Sequence, residues 1–98
     1  MPAFPIVFER RSEKSLREAP AHIRKRLVRA IDALSTDPRP IGVKTLSSAT
    51  KLYRVRVGPY RIVYQVQDAR LVVLVVRVGD RKEVYRRLDI LAKRFPPP

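Results

Sequence analysis

The feature that most constrains the fold is a pair of alternating segments joined by a two-residue turn. Residues 52–64 read L-Y-R-V-R-V-G-P-Y-R-I-V-Y, and apolar residues recur at every second position on both sides of Gly58-Pro59. A period of two is typical of β-strands, and a short turn between two such runs indicates a hairpin. The segment therefore predicts an antiparallel pair of strands over residues 52–57 and 60–66.

Other apolar runs supply the remaining predicted strands. Residues 71–78 are almost continuously apolar, which favours an interior strand of the same sheet. Residues 4–8 form a short β-prone run at the start of the chain. Residues 41–50, which include Gly42 and the pair Ser47-Ser48, are interpreted as a connecting loop.

Helices are predicted before and after these strands. Ser12 is the expected N-cap of a short helix over residues 13–18. A longer helix begins at Pro20 and must end at the sequence D-P-R-P of residues 37–40, because prolines remove backbone donors. Its apolar positions recur at helical spacing: Ile23, Leu27, Ala30, Ile31 and Leu34. A last helix is predicted over residues 86–95, followed by a frayed tail at 96–98.

These elements predict an α+β fold in one domain over residues 1–98. An N-terminal strand and two helices should pack on an antiparallel sheet, with a short C-terminal helix. The helices should cover the more apolar face, which carries Val55, Ile62, Tyr64 and Val76. The opposite face then carries four arginines: Arg54, Arg56, Arg61 and Arg77.

Charge narrows the class of partner. With 22 Lys and Arg against 9 Asp and Glu, the net charge is +13, which favours nucleic acid, an anionic membrane or an acidic protein. The chain has no cysteine, so disulfides and thiolate metal sites are excluded. It shows no apolar run long enough to span a membrane and no signal-peptide pattern, so we expect a cytoplasmic protein.

His22 is the only histidine and is expected to be exposed on the long helix; a ribonuclease with paired histidines is therefore excluded.

The sequence resembles the RelE-type toxins of the RelE/ParE superfamily. The resemblance rests on the hairpin sequence above, on V-G-D-R-K-E-V-Y at residues 78–85, and on the helix ending in D-P-R-P that precedes Gly42, Lys44 and Leu46. It implies the toxin of a type II toxin–antitoxin pair, which enters the ribosomal A site and cleaves mRNA there without a metal or other cofactor. It also implies a cognate antitoxin, acidic or partly disordered, whose complex with the toxin binds operator DNA through the antitoxin.

The resemblance assigns roles to residues of this chain. Arg61, Arg81 and Tyr85 form the expected catalytic group, together with Arg56 and Arg54. Arg61 and Arg81 would hold the phosphate, and Tyr85 would accept a proton from the 2′-hydroxyl or orient it. Arginine is a poor general base, so Arg54 and Arg56 are assigned to phosphate binding. The predicted RNA-binding residues are Arg54, Arg56, Arg77, Lys51 and Lys44.

Two alternatives remain open at this stage. A ParE-like protein shares the fold but inhibits DNA gyrase by binding, without RNA cleavage. Alternatively, the arginines bind only an acidic antitoxin, and catalysis has been lost. Tyr85 also has a purely structural interpretation, as an aromatic residue that packs the last helix against the sheet.

Overall fold

In the computed structural model, which describes residues 3–48 and 50–80, two helices pack on one face of a five-stranded sheet. The elements in chain order are β1 (Ile6–Phe8), α1 (Arg10–Glu18), α2 (Ala21–Thr36), β2 (Lys44–Ser47), β3 (Leu52–Val57), β4 (Tyr60–Gln67), a 3₁₀ turn (Asp68–Arg70) and β5 (Val72–Asp80). The strand order is β1-β5-β4-β3-β2. The predicted α+β fold is confirmed, and the predicted helix over residues 86–95 and the tail at 96–98 lie outside the described residues.

Helix α2 forms where its apolar spacing predicts it. Ile23, Leu27, Ile31 and Leu34 are buried along one side of the helix. The helix ends at Thr36, immediately before the segment that contains the two prolines. His22 is exposed on this helix, as predicted.

Helix α1 begins three residues earlier than predicted, and the predicted N-cap at Ser12 is wrong. Glu9 is the N-cap, and its carboxylate accepts a hydrogen bond from the Arg11 backbone N–H at 3.0 Å. Ser12 lies inside the helix with 1% exposure. Its hydroxyl oxygen is 2.6 Å from the Glu9 carbonyl and 2.8 Å from the carbonyl of Val75 on β5. Ser12 therefore forms a hydrogen bond between α1 and β5, and the local sequence does not indicate this contact.

The sheet is mixed and has one strand more than the sequence predicts. Strand β1 pairs with β5 in parallel, whereas the other three pairings are antiparallel. Strand β2 lies within residues 41–50, where a loop is predicted, and Lys44 pairs with Arg54. An edge strand pairs on one side only and needs no continuous apolar run, so its sequence gives a weak signal.

A bulge in β5 reverses part of the predicted face assignment. Val63 pairs with Arg77 and Tyr64 pairs with Val75, so Val76 is an extra residue in the ladder. Val73 and Val75 therefore join Val78 in the core under the helices. The prediction that Val76 faces the helices is wrong, because one inserted residue shifts the alternation of every residue beyond it.

On β3 and β4 the predicted faces are confirmed. Ile62 and Tyr64 are fully buried in the helix-side core, and Val55 packs against that core. The arginines of these two strands alternate with the core residues and so lie on the opposite face.

Candidate functional site

Basic side chains cross the sheet in two rows on the face opposite the helices. In the first row, Lys44 on β2 pairs with Arg54 on β3, Arg54 pairs with Val63 on β4, and Val63 pairs with Arg77 on β5. In the second row, Arg56 on β3 pairs with Arg61 on β4. We call this surface the basic face; its residues are Lys44, Arg54, Arg56, Arg61 and Arg77.

The residues of the basic face differ in accessibility. Lys44 and Arg56 are exposed, whereas Arg54 and Arg77 are half-buried. Arg61 is only 8% exposed, and Val63 beside it is fully buried. The accessible charge of the basic face therefore lies mainly at Lys44 and Arg56, whereas Arg61 and Val63 are buried.

Arg61 is a buried guanidinium whose hydrogen bonding is incomplete. Its Nη1 lies 3.5 Å from the Gly58 carbonyl oxygen and 3.4 Å from that of Tyr60, both at the long end for a hydrogen bond. Its buried Nε has no hydrogen-bond partner among residues 3–48 and 50–80. A buried donor without a partner costs free energy, and the cost is larger for a charged group. Arg61 therefore has a buried donor that no described residue satisfies.

Arg56 adds a second positive charge beside Arg61. The two residues occupy directly opposite positions, where like charges destabilise an antiparallel pair. The Nε of Arg56 lies 3.4 Å from the same Gly58 carbonyl oxygen. One carbonyl thus lies near two guanidiniums, and at these distances it satisfies neither well.

Arg77 remains a cation in spite of its surroundings. Burial lowers the pKa of its guanidinium, Arg11 lowers it further by repulsion, and Glu9 opposes both effects. Arginine is not deprotonated in proteins, so the group stays charged at neutral pH. It supplies the basic face with charge at the β5 end of the first row.

Lys51 lies at the other end of β3 from Gly58 and is ion-paired. Its Nζ is 2.9 Å from Asp68 Oδ2. The six residues of β3 between Lys51 and Gly58 span about 20 Å at roughly 3.4 Å per residue. The structure therefore brings Lys44 close to the predicted arginines but does not bring Lys51 close to the Arg56–Arg61 pair.

Asp68 is also the centre of a network that the sequence does not reveal. Both of its carboxylate oxygens accept hydrogen bonds from Arg39, at 3.2 and 2.8 Å. These bonds and the one from Lys51 lower the pKa of Asp68 to about 2. The guanidinium of Arg39 also donates to the Tyr53 hydroxyl at 3.1 Å and lies 5.2 Å from the centre of the Tyr53 ring. The network attaches the segment after α2 to the hairpin.

Tyr64 strengthens the same attachment from inside the core. Its hydroxyl donates to the Pro38 carbonyl at 2.7 Å, and its ring centre is 5.8 Å from that of Tyr53. Burial raises the pKa of Tyr64, so the hydroxyl stays protonated and keeps donating. The segment 37–40, predicted only as a helix stop, is thus fixed against the sheet.

The described residues were also searched for metal-binding groups and for membrane-spanning helices. The described residues contain no group of three or more His, Cys, Asp or Glu side chains placed to hold a metal ion. No helix in the described part of the chain is long and apolar enough to cross a membrane. Arg81 and Tyr85, the other two residues of the predicted catalytic group, lie outside the described residues.

The chain is a small α+β protein with an arginine-rich sheet surface, and known proteins are similar to it in sequence and in fold. The family described as "ParE toxin of type II toxin-antitoxin system, parDE" matches residues 6–85. The mRNA interferase toxin RelE of Escherichia coli K12 is 32% identical over 87 residues, which cover 85% of this chain and 90% of that protein. A putative toxin RelE1 of Methanocaldococcus jannaschii is 27% identical over 86 residues, which cover 85% of this chain and 96% of the relative.

A solved structure gives the same result. The chain is similar in structure to a chain of the intact Escherichia coli RelBE toxin–antitoxin complex, with a TM-score of 0.70. The two chains are 30% identical, and the match covers 80% of this chain and 96% of the other. The chain belongs to the RelE/ParE superfamily and is a RelE-type toxin of a type II toxin–antitoxin system.

Proposed function

We propose that this toxin is a ribosome-dependent endoribonuclease that cleaves mRNA in the A site and so inhibits translation. The observation that carries the proposal is Arg61, a guanidinium that is 8% exposed, has an unbonded Nε, and lies beside Arg56 on the basic face. Phosphate oxygens match the donor geometry of a guanidinium, which supports an RNA backbone as the ligand. The name of the Escherichia coli relative, an mRNA interferase, supports the same reaction.

The proposed reaction begins with the attack of a ribose 2′-hydroxyl on the adjacent phosphorus. The 2′-oxygen–phosphorus bond forms, the bond from phosphorus to the 5′-oxygen breaks, and a 2′,3′-cyclic phosphate results. The 2′-proton passes to a base, and a proton is delivered to the departing 5′-oxygen. The reaction therefore needs a proton acceptor, a proton donor and stabilisation of the extra negative charge on the phosphate.

The residues are assigned to these needs as follows. Arg61 and Arg81 hold the phosphate and stabilise the charge that develops on it, and Arg81 assists the departing oxygen. Tyr85 accepts the 2′-proton or orients the hydroxyl. A phenol with a reference pKa of about 10 loses its proton more readily when guanidiniums surround it.

The remaining basic residues are assigned to RNA binding. Arg54, Arg56 and Arg77 extend along the basic face, and Lys44 adds its exposed edge. Lys51 is assigned a weaker contact, because RNA must compete with Asp68 for its ammonium group. Together these cations would hold the message on both sides of the cleaved bond.

We further propose that an antitoxin binds this toxin in the cytoplasm. A net charge of +13 favours partners with acidic groups, and an initially disordered segment can wrap a large surface. The Escherichia coli relative has been crystallised with its antitoxin in the RelBE complex. By analogy, the antitoxin of this pair would carry the operator-DNA contacts.

A translating extract tests the proposed reaction. The purified toxin should produce cuts in a translated message at fixed positions within codons, with new 5′-hydroxyl ends, and none in the same message when initiation is blocked. Arg61→Ala should reduce the cleavage rate at least 100-fold, as expected when a donor to a developing oxyanion is lost. Arg70→Ala, which removes an exposed cation from the turn before β5, is the matched control. Intact message with the parent protein would reject the proposal.

The family description favours one other function. It names ParE toxins, and a ParE-like protein would inhibit DNA gyrase by binding. Gyrase trapped on DNA, together with uncut message, would identify that activity. Cuts in phase with codons and unaffected supercoiling would identify the RelE-like one.

A further inference from the structure

The turn between β3 and β4 is in contact with a side chain from the helical layer. Gly58 has φ +57, and a Cβ built on it would lie 2.9 Å from Arg26 Nη1 and 3.4 Å from Arg26 Cζ. The guanidinium of Arg26, which belongs to α2, therefore rests against the backbone of the hairpin turn. With any other residue at position 58, the guanidinium of Arg26 would have to shift from this position.

Two guanidiniums of the basic face reach the same residue. Arg56 Nε and Arg61 Nη1 lie 3.4 and 3.5 Å from the Gly58 carbonyl oxygen. We call Arg26, Arg56 and Arg61 the Gly58 cluster. Its members come from both the helical layer and the basic face, and they meet at the turn of the hairpin.

The Gly58 cluster brings three positive charges to one turn. Within the described part of the chain, no carboxylate forms an ion pair with any of its three guanidiniums. Arg26 is exposed and makes no hydrogen bond with the described residues, so none of them accounts for its position. Arg61 adds the buried, unbonded Nε. Three like charges at one turn are unfavourable unless an anion joins them.

We propose that the Gly58 cluster binds the mRNA backbone and that Arg26 contacts a phosphate next to the one that is cleaved. The inference rests on the proposed function, since it places the cleaved phosphate at Arg61. RNA is favoured over an acidic protein because the cluster is continuous with the basic face. Arg26 and Arg61 both approach Gly58, so a chain of phosphates that continues past Arg61 and around the hairpin turn reaches Arg26. Arg26 is a binding and positioning residue: it holds the chain on one side of the reacting phosphate.

The test uses Arg26→Ala with Arg29→Ala as its matched control. Arg29 is exposed on the same helix and lies with Arg24, Lys25 and Val28 around a surface hollow that does not include Arg26. Both variants remove one positive charge from α2. Thermal unfolding should show that both remain folded, because both side chains are exposed.

Cleavage is measured on ribosomes programmed with messages that carry one methylphosphonate, a neutral linkage, at successive positions around the cut. Arg26→Ala should lower kcat/KM about tenfold on the normal message, as expected for a lost charge-assisted hydrogen bond, and Arg29→Ala less than twofold. Neutralising the phosphate that Arg26 contacts should slow cleavage by the parent protein about as much as Arg26→Ala does. The same neutral linkage should not slow cleavage by Arg26→Ala further. Arg26→Lys should recover part of the loss, because it keeps the charge but not the planar pair of donors.

Binding of a short single-stranded RNA separates this inference from the proposed reaction. Each lost phosphate contact should reduce the slope of log affinity against log salt by about 0.7, so Arg26→Ala should lower the slope and Arg29→Ala should not. A parent protein that binds in this way but cuts no message would reject the proposed reaction and keep the Gly58 cluster. The inference would be overturned if the parent protein is active and Arg26→Ala and Arg29→Ala have equal cleavage rates. It would also be overturned if the ratio of the parent rate to the Arg26→Ala rate is the same whichever phosphate is neutralised. A loss confined to binding of the antitoxin would overturn it as well.

Discussion

Arg56 and Arg61 lie directly opposite each other on β3 and β4, and one is exposed whereas the other is 8% exposed. Opposed like charges on neighbouring strands cost about 0.2–1 kcal/mol. The fold therefore tolerates a local repulsion at the position where the proposed reaction needs two cations. This relationship predicts that activity and stability oppose each other at this pair.

Replacement of Arg56 by alanine should stabilise the folded protein while it weakens cleavage. The expected gain in the free energy of unfolding is at most about 1 kcal/mol, because only the repulsion is removed and Arg56 is exposed. Urea unfolding at low and high salt measures it, and the gain should shrink with salt as the charges are screened. Arg70→Ala is the control for general loss of charge. A destabilised Arg56→Ala protein at low salt would contradict the expectation.

Replacement of Tyr85 by phenylalanine tests the proton acceptor. The change keeps the aromatic ring and removes the hydroxyl, so packing is retained while proton transfer is lost. The cleavage rate on translating ribosomes should fall about 10²–10⁴-fold, the usual contribution of a general acid or base. If the variant cuts as fast as the parent, Tyr85 has only the structural role of an aromatic packing residue.

Asp68→Asn should weaken the attachment of the segment after α2 in a manner that depends on pH. The pKa of Asp68 is lowered to about 2 in the folded protein, well below the usual range of an aspartate carboxyl. Its contribution to stability is therefore complete above pH 4 and is lost as the pH falls through 2. Because Arg39 and Asp68 are 38% and 41% exposed, the contribution should be no more than about 1 kcal/mol.

Chemical denaturation of the parent and the Asn variant between pH 2 and pH 6 measures this dependence. The difference in unfolding free energy should be constant from pH 5 to 6 and should shrink toward zero near pH 2. A difference that does not change over this range would show that the carboxylate charge is not what the network uses.

The sequence was sufficient for features that depend on local pattern. The spacing of Ile23, Leu27 and Leu34 predicted α2, and alternation around Gly58 predicted the hairpin and the faces of its two strands. The register then placed Arg54 and Arg56 on one surface, as predicted.

Features that depend on tertiary partners were missed. Strand β2 forms only because it pairs with β3. The burial of Ser12 inside α1 depends on its hydrogen bond to the Val75 carbonyl. The bulge at Val76 is defined only by the pairing of β4 with β5. The approach of Arg26 to Gly58 is likewise not indicated by the sequence, because nothing in the periodicity of α2 points to the hairpin turn. The catalytic and RNA-binding roles of all the predicted site residues remain predictions, and Arg81 and Tyr85 also lie outside the described residues.

The contact between Arg26 and Gly58 gives a last prediction about stability. Gly58→Ala should destabilise the protein for two reasons: a residue with a side chain is strained at φ +57, by about 1–2 kcal/mol, and its Cβ would lie 2.9 Å from Arg26 Nη1. Only the second cost depends on Arg26. In a double-mutant cycle, Gly58→Ala should therefore cost less in the Arg26→Ala background than in the parent, with a coupling of a few tenths to about 1 kcal/mol.

Arg29→Ala is the control background, in which the cost of Gly58→Ala should equal that in the parent. Urea unfolding of the six proteins measures both cycles. If the cost of Gly58→Ala is the same in all three backgrounds, the long side chain of Arg26 moves aside without loss and the close approach at the turn contributes nothing to stability. A coupling found only with Arg26 would show that the helical layer holds its guanidinium against the hairpin before any RNA is bound, as a preorganised phosphate site requires.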